Sequence, residues 1–214
     1  MNEVNFINRS DPNTHEVAFE LVKEYLNKDK MVLDVGCGSD SFLYKVKDLT
    51  SRRFGCDFNV DQYAEHDNKE NVKKVDLDWE KLPYEQEMFD VIFCLDVLEH
   101  LFNPFSLLKE CFRVLKNDGI IILSTPNLCN YIQRINFLLT GKLKGFWVKQ
   151  HKRDLGEMHI TPIFKYQLLE FLLSSNGHII KYDFNRSNVP KLGINLKRKS
   201  YFLSETVIWA IRKR

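Results

Sequence analysis

The chain has 214 residues, 44% of them hydrophobic, and a formal net charge of +2, which suits one domain able to bury a substantial core without staples. Its five cysteines, Cys37, Cys56, Cys94, Cys111 and Cys129, include no Cys-x-x-Cys pair, a pattern that points to reduced thiols in a core and away from a disulfide framework. No apolar run reaches the ~20 residues needed to span a bilayer, and Met1 to Phe6 lacks the basic-then-apolar layout of a secretory signal, so a cytoplasmic protein is the default expectation.

Taken in order, the chain alternates helix and strand patterns. Asp11-Pro12-Asn13-Thr14 offers helix-start chemistry, after which Val17, Phe19, Leu21, Val22, Tyr25 and Leu26 supply an apolar face. Val32 to Val35 reads as a buried strand that carries Asp34 and runs into Gly36-Cys37-Gly38-Ser39-Asp40. Glycines two apart let a ligand approach bare backbone, and the carboxyl end of a strand is where open α/β sheets bind ligands. Arg53 to Asp57 reads as a second strand ending in an acid, about 20 residues beyond the glycine loop, the separation at which a strand-end carboxylate meets ribose hydroxyls. The segment Val75 to Tyr84 then precedes Met88 to Leu101, an apolar strand that closes on Asp96, Glu99 and His100. Leu107, Leu108, Cys111, Phe112 and Leu115 repeat at helical spacing ahead of a stop at Asn117-Asp118-Gly119, and Ile120 to Asn127 follows as a strand. Thr161-Pro162 sets a capping hydroxyl before a proline at the first helical position, with Leu168, Leu169, Phe171 and Leu172 behind it and Asn176-Gly177 as the stop. His178 to Phe184 and Thr206 to Arg214 read as the last two strands. Such alternation predicts an α/β fold with a mostly parallel sheet.

Two cofactor classes compete for the glycine loop. A dinucleotide fingerprint asks for a third small residue after Gly36 and Gly38, but here Ser41 is followed by the bulky Phe42 and Leu43, so the nicotinamide reading loses ground. The landmarks between about residues 30 and 130 resemble those of the class I S-adenosylmethionine-dependent methyltransferases, whose first motif runs hydrophobic-hydrophobic-Asp-hydrophobic-Gly-Cys-Gly. That resemblance implies a Rossmann-like, seven-stranded, mostly parallel sheet of order 3-2-1-4-5-7-6 with the last strand antiparallel and helices on both faces. It implies S-adenosylmethionine as cofactor and S-adenosylhomocysteine as product, lying across the ends of strands one and four. Gly36 and Gly38 would bear the methionine part, with Asp34 holding the loop. Asp57 would take the ribose and Phe58 would flank the adenine. Asp76 would accept from the adenine amino group while the Leu77 amide meets a ring nitrogen, and Asp96 would contact the methionyl portion. Each role has an ordinary structural alternative: a strand-to-helix turn for the glycines, a solvated strand-end acid for Asp57, simple packing for Phe58, a helix cap for Asp96.

Methyl transfer from a sulfonium asks mainly for in-line positioning and exclusion of water. A base matters chiefly for oxygen acceptors, which makes His15, His100, His151 and His159 the histidines to consider, with His100 and His159 as the catalytic candidates and loop tethering as their alternative. The resemblance weakens between Leu128 and Met158. Residues 1–214 therefore read as one methyltransferase-like domain with a lid or acceptor insertion at about 128–160, which holds the amphipathic stretch Tyr131 to Leu139, the aromatics Phe146 and Trp147, and His151-Lys152-Arg153. Through residue 141 the chain has 16 Lys and Arg against 24 Asp and Glu, a balance of −8; beyond it 15 face 5, a balance of +10. A basic carboxyl-terminal third suits a small anionic acceptor, such as a phosphorylated or lipid-linked sugar, and it permits peripheral membrane contact. The Ser124-Thr125-Pro126-Asn127 end of the fifth strand and the lid resemble methyltransferases of quinone biosynthesis and of surface-polysaccharide pathways, which implies a quinone- or sugar-type acceptor. Nucleic acid ranks well below a small molecule, because no known binding module is present. Six histidines and five cysteines without ligand spacing argue for no metal, and no Gly-x-Ser-x-Gly elbow is present. The rival functions are a non-catalytic S-adenosylmethionine-binding module and an NAD-dependent oxidoreductase. Oligomeric state has no sequence signal.

Overall fold

The computed structural model describes residues 13–38, 41–60, 71–146, 158–189, 194–195 and 199–214. Seven strands form one sheet: β1 (Met31–Val35), β2 (Arg52–Asp57), β3 (Val72–Lys74), β4 (Phe89–Leu95), β5 (Leu115–Pro126), β6 (Gly177–Phe184) and β7 (Thr206–Lys213). Their spatial order is 3-2-1-4-5-7-6. The pairs β1–β2, β1–β4, β2–β3 and β4–β5 are parallel, and β7 runs antiparallel between β5 and β6. This is the expected Rossmann-like sheet. A two-residue antiparallel ladder, Asn188–Val189 with Ile194–Asn195, stands apart from it.

The central strands are mostly apolar because helices cover both faces, with Asp34 in β1 and Asp90 in β4 among the exceptions. Successive residues of β1 serve opposite layers: Leu33 and Val35 join Ile92, Leu98, Leu107, Leu108 and Trp209 on one side, while Val32 joins Ala18, Val22, Phe42 and Phe93 on the other. The first layer is covered by α3 (Pro104–Val114) and α5 (Lys165–Ser174), the second by α1 (Thr14–Val22) and α2 (Ser41–Lys45). Helix α3 begins with proline at its first position and turns Leu107, Leu108, Cys111 and Phe112 inward, a spacing of three and four residues that makes one stripe. Each fully buried Leu or Phe contributes roughly 1.5–3 kcal/mol of apolar burial. Four of the five cysteines are buried and all are free thiols, as expected for core residues.

Three local expectations need correction. Helix α1 has Asn13 at its amino end in the left-handed region (φ 67°) with no side-chain cap, and it gives way after Val22 to a 3-10 turn at Lys23–Tyr25; Asp11 and Pro12 lie outside the described residues. Asn117-Asp118-Gly119 is not a helix stop. Helix α3 already ends at Val114, because Leu115 turns extended to pair with Phe89, and the three residues form a kink inside β5 where Asp118 has φ 60° and the pairing register shifts. Finally, α5 starts at Lys165, not at Pro162. The Thr161 hydroxyl donates to the Leu101 carbonyl at 2.5 Å, so it ties two loops together, and the helix start is stapled by the Phe164 amide donating to Gln167 Oε1 at 2.8 Å.

Candidate functional site

The carboxyl ends of β1, β2 and β4 converge on the glycine loop. Gly36 and Gly38 both adopt positive φ, 70° and 54°, which side chains with a Cβ rarely tolerate. The amides of Gly36 and Cys37 donate to the Cys56 carbonyl at 2.8 and 3.2 Å, pinning the loop to β2. A Cβ on Gly36 would stand 2.5 Å from Val97 Cγ2, so the position is closed by packing as well as by dihedral; among the described residues a Cβ on Gly38 would meet nothing within 4 Å. The loop therefore presents bare backbone to open space at Gly38. Asp34 lies buried just before it, level with Gly55 of β2 and Phe93 of β4. Ser39 and Asp40 lie outside the described residues.

Asp57 closes the other side. Its Oδ2 accepts from the Gly38 amide at 3.0 Å and its Oδ1 from the Asn59 amide at 3.0 Å, which orients the carboxylate while leaving further lone-pair directions on both oxygens. The next residue, Phe58, exposes 63% of its surface, and the Lys74 ammonium stands 5.6 Å from its ring centre.

The three acids beyond β3 separate by their bonds. Asp78 Oδ1 accepts from the amides of Phe102 and Asn103 at 2.7 and 3.0 Å, fastening the approach to α3. Glu80 reaches back to accept from the Asp76 amide at 2.8 Å. Asp76, half-buried, uses Oδ1 to accept from the Asp78 amide at 3.1 Å, a local turn of the Asx kind. Leu77 buries its side chain in the core. Asp76 and Glu80 thus keep these bonds within one turn, whereas Asp78 reaches out to the approach to α3.

Asp96 follows β4 with φ 55°. Its amide donates to Ser124 Oγ at 2.9 Å, and that hydroxyl donates to Asp96 Oδ1 at 2.5 Å. Ser124, fully buried on β5, opens the Ser-Thr-Pro-Asn end of that strand, and its contact with Asp96 has no signal in the sequence beyond a hydroxyl closing an apolar strand.

Beyond Asp96, a 3-10 turn at Leu98–His100 meets the loop at 158–161. The amides of Ile160 and Thr161 donate to the Glu99 carbonyl at 2.8 and 3.0 Å. The rings of His100 and His159 meet edge to face at 4.8 Å, and Phe146 packs on His159 at 5.3 Å. His100 Nδ1 lies 3.1 Å from the Met158 carbonyl oxygen; a carbonyl only accepts, so Nδ1 carries the proton. Burial, then the neighbouring His159, pull the His100 pKa down to about 4, with the Met158 carbonyl opposing. The carboxylate of Glu99 is also buried, and ligand atoms of Glu99, His100 and His159 all fall within 4.8 Å of one another. Of the other histidines considered, His15 is packed edge-on against Phe42 at 5.2 Å in the core, and His151 lies outside the described residues.

The insertion carries α4 (Tyr131–Thr140), begun by Asn130 Oδ1 accepting from the Gln133 amide and closed by Gly141 at φ 67°. None of its residues is buried; Phe137, Leu138 and Leu139 are 57%, 83% and 76% exposed. Residues 147–157, including Trp147, lie outside the described residues.

Residues 33–123 match the family model of the methyltransferase domain. The chain is 28% identical over 193 residues to a tRNA U34 carboxymethyltransferase of Campylobacter curvus, covering 76% of this chain and 65% of that protein. It is 32% identical over 108 residues to a ubiquinone biosynthesis O-methyltransferase of Glaesserella parasuis, covering 46% of each. The chain thus spans about half to two thirds of these relatives' lengths. In structure it matches a SAM-dependent methyltransferase of Archaeoglobus fulgidus with a TM-score of 0.65, at 21% identity, over 94% of this chain and 95% of that one.

Proposed function

We propose that this chain, whose residues 33–123 match the methyltransferase domain, is a class I S-adenosylmethionine-dependent methyltransferase that transfers a methyl group to an oxygen of a small polar acceptor, anionic or lipid-linked, of sugar or quinone type. The observation that carries the cofactor half is the joint between Asp57 and the open Gly38 backbone. Bound there, S-adenosylmethionine would supply an already activated sulfonium methyl. The chain's own residues supply the rest. Gly36 and Gly38 leave room for the methionine part, with Asp34 beneath them, and Asp57 offers its remaining lone pairs to ribose hydroxyls. Phe58 gives a face to the adenine, Asp76 accepts from the exocyclic amino group, and the Leu77 amide meets a ring nitrogen. Asp96, braced by Ser124, stands at the methionyl end.

His100 and His159 flank the place where the acceptor oxygen would lie. With its pKa drawn down to about 4, His100 is a weak proton acceptor on its own, so the larger contribution is to hold the oxygen about 3–3.5 Å from the methyl carbon and keep water out. The insertion acts as the lid. The exposed Phe137, Leu138 and Leu139 beside Arg134, Lys142 and Lys144 support a lipid-linked acceptor, since apolar side chains flanked by bases suit an anionic membrane surface. The O-methyltransferase name of one relative supports oxygen as the receiving atom.

A second reading, an RNA acceptor, is favoured by the tRNA-modifying relative, whose match extends over 76% of this chain, together with the +10 balance beyond residue 141. Incubation with methyl-labelled S-adenosylmethionine and, separately, a lipid-plus-metabolite extract and bulk tRNA distinguishes the two. Label in the extract supports the first reading; label confined to tRNA replaces it with the second.

A further inference from the structure

We infer that Glu99, His100 and His159 form a binding site for one divalent transition-metal ion. The sequence hides this site, because 59 positions separate His159 from His100 and no ligand spacing appears. The fold brings the three together: their ligand atoms lie within 4.8 Å of one another, at the carboxyl end of β4 and beside the cofactor loop. Metal–nitrogen bonds of about 2.0–2.1 Å put neighbouring ligand atoms about 3–3.5 Å apart, so side-chain rotations of about an ångström would close the set around an ion.

Four features go beyond proximity. The Glu99 carboxyl is buried, 1% exposed, next to two imidazoles, whereas surface acids merely crowd together in water. The His100 ring is fixed by Nδ1 donating to the Met158 carbonyl, which turns its lone pair to Nε2, the outer-shell arrangement that orients histidine ligands. The loop bearing His159 is held onto the Glu99 turn by three hydrogen bonds, from the amides of Ile160 and Thr161 and from the Thr161 hydroxyl. Phe146 shields the outer face of His159.

Two imidazole nitrogens and one carboxylate oxygen suit zinc, iron(II), cobalt(II) or manganese(II) better than calcium or magnesium, and a three-ligand set leaves coordination positions open. The ion's use rests on the proposed methyl transfer: an open position would receive the acceptor oxygen and favour its deprotonation. The acceptor proton would then leave to water, an oxygen lone pair would form the bond to the methyl carbon, and the sulfur–methyl bonding pair would return to sulfur. Metal binding itself stands without that use.

The test is cobalt(II) chloride titrated into chelator-stripped full-length protein without oxygen, followed by visible absorption and calorimetry. The expected result is saturation at one ion per chain, ligand-field bands without a thiolate charge-transfer band, and an affinity about ten-fold or more lower in His159→Asn. Glu99→Gln serves as the second variant, with circular dichroism checking that both are folded. No saturable binding by folded wild type, equal binding by both folded variants, or a thiolate band that disappears in Cys129→Ser would overturn the site. Calorimetry of S-adenosylmethionine on the metal-free protein reads the cofactor site independently, so either reading can fail alone.

Discussion

Asp57, at the end of the second strand, accepts a hydrogen bond from the Gly38 amide at 3.0 Å, making that acid and the glycine loop one mechanical unit. The Gly38 φ of 54° turns that amide toward the acid, and the acid in turn holds the loop open. A change at either end is therefore felt at both.

Gly36→Ala adds a methyl 2.5 Å from Val97 Cγ2 at φ 70°. Left-handed strain and overpacking against a stiff β-branched neighbour together cost about 2–4 kcal/mol. Chemical denaturation should record that loss. The double variant with Val97→Ala should recover the packing part alone, since the dihedral strain remains.

Ser124→Ala removes the hydroxyl that both accepts from the Asp96 amide and donates to its carboxylate. Ser124 is buried, so the Asp96 amide and carboxylate each lose a hydrogen-bond partner, and stability should fall by about 1–3 kcal/mol. Affinity for S-adenosylmethionine, measured by calorimetry on the folded variant, should fall as well, because Asp96 loses its brace.

His15 is buried against Phe42, and burial lowers its pKa from 6.5 to about 4, with Glu16 raising it and Lys45 lowering it. The unfolded chain therefore binds a proton that the folded chain refuses between those two values. The resulting stabilisation is present above pH 6.5 and is lost as pH falls towards 4, by on the order of 3 kcal/mol. Urea melts across that window should give a slope that is shallower in His15→Phe than in wild type.

Phe137, Leu138 and Leu139 are all exposed, so replacing them by serine should leave the melting temperature nearly unchanged. If α4 meets a lipid surface, co-sedimentation with phosphatidylglycerol vesicles should drop several-fold while that with neutral vesicles stays low. Unchanged sedimentation would remove membrane contact from the account.

The sheet was legible because its signals are local: Val32 to Val35 is apolar except for the buried Asp34, and Ile120 to Leu123 is apolar over its whole length, as suits strands covered on both faces. Their order came from family likeness, since periodicity does not rank strands. The glycine loop and Asp57 were legible through spacing. What escaped depended on tertiary partners. Thr161-Pro162 has the chemistry of a helix start, but the Leu101 carbonyl captures its hydroxyl. Asn117-Asp118-Gly119 has the chemistry of a stop, but Leu115 is already pairing with Phe89. The meeting of His100 with His159 needs the loop at 158–161 to dock on Glu99, and nothing in either segment alone announces it.

The most direct test of the central claim is calorimetric titration of wild type and Asp57→Ala with S-adenosylmethionine, S-adenosylhomocysteine and NAD. The account predicts that wild type binds both sulfur nucleosides and not NAD, and that Asp57→Ala, having lost both the ribose acceptor and the anchor of the Gly38 amide, binds them at least ten-fold more weakly. Binding of NAD alone, or equal binding of S-adenosylmethionine by both proteins, would contradict it.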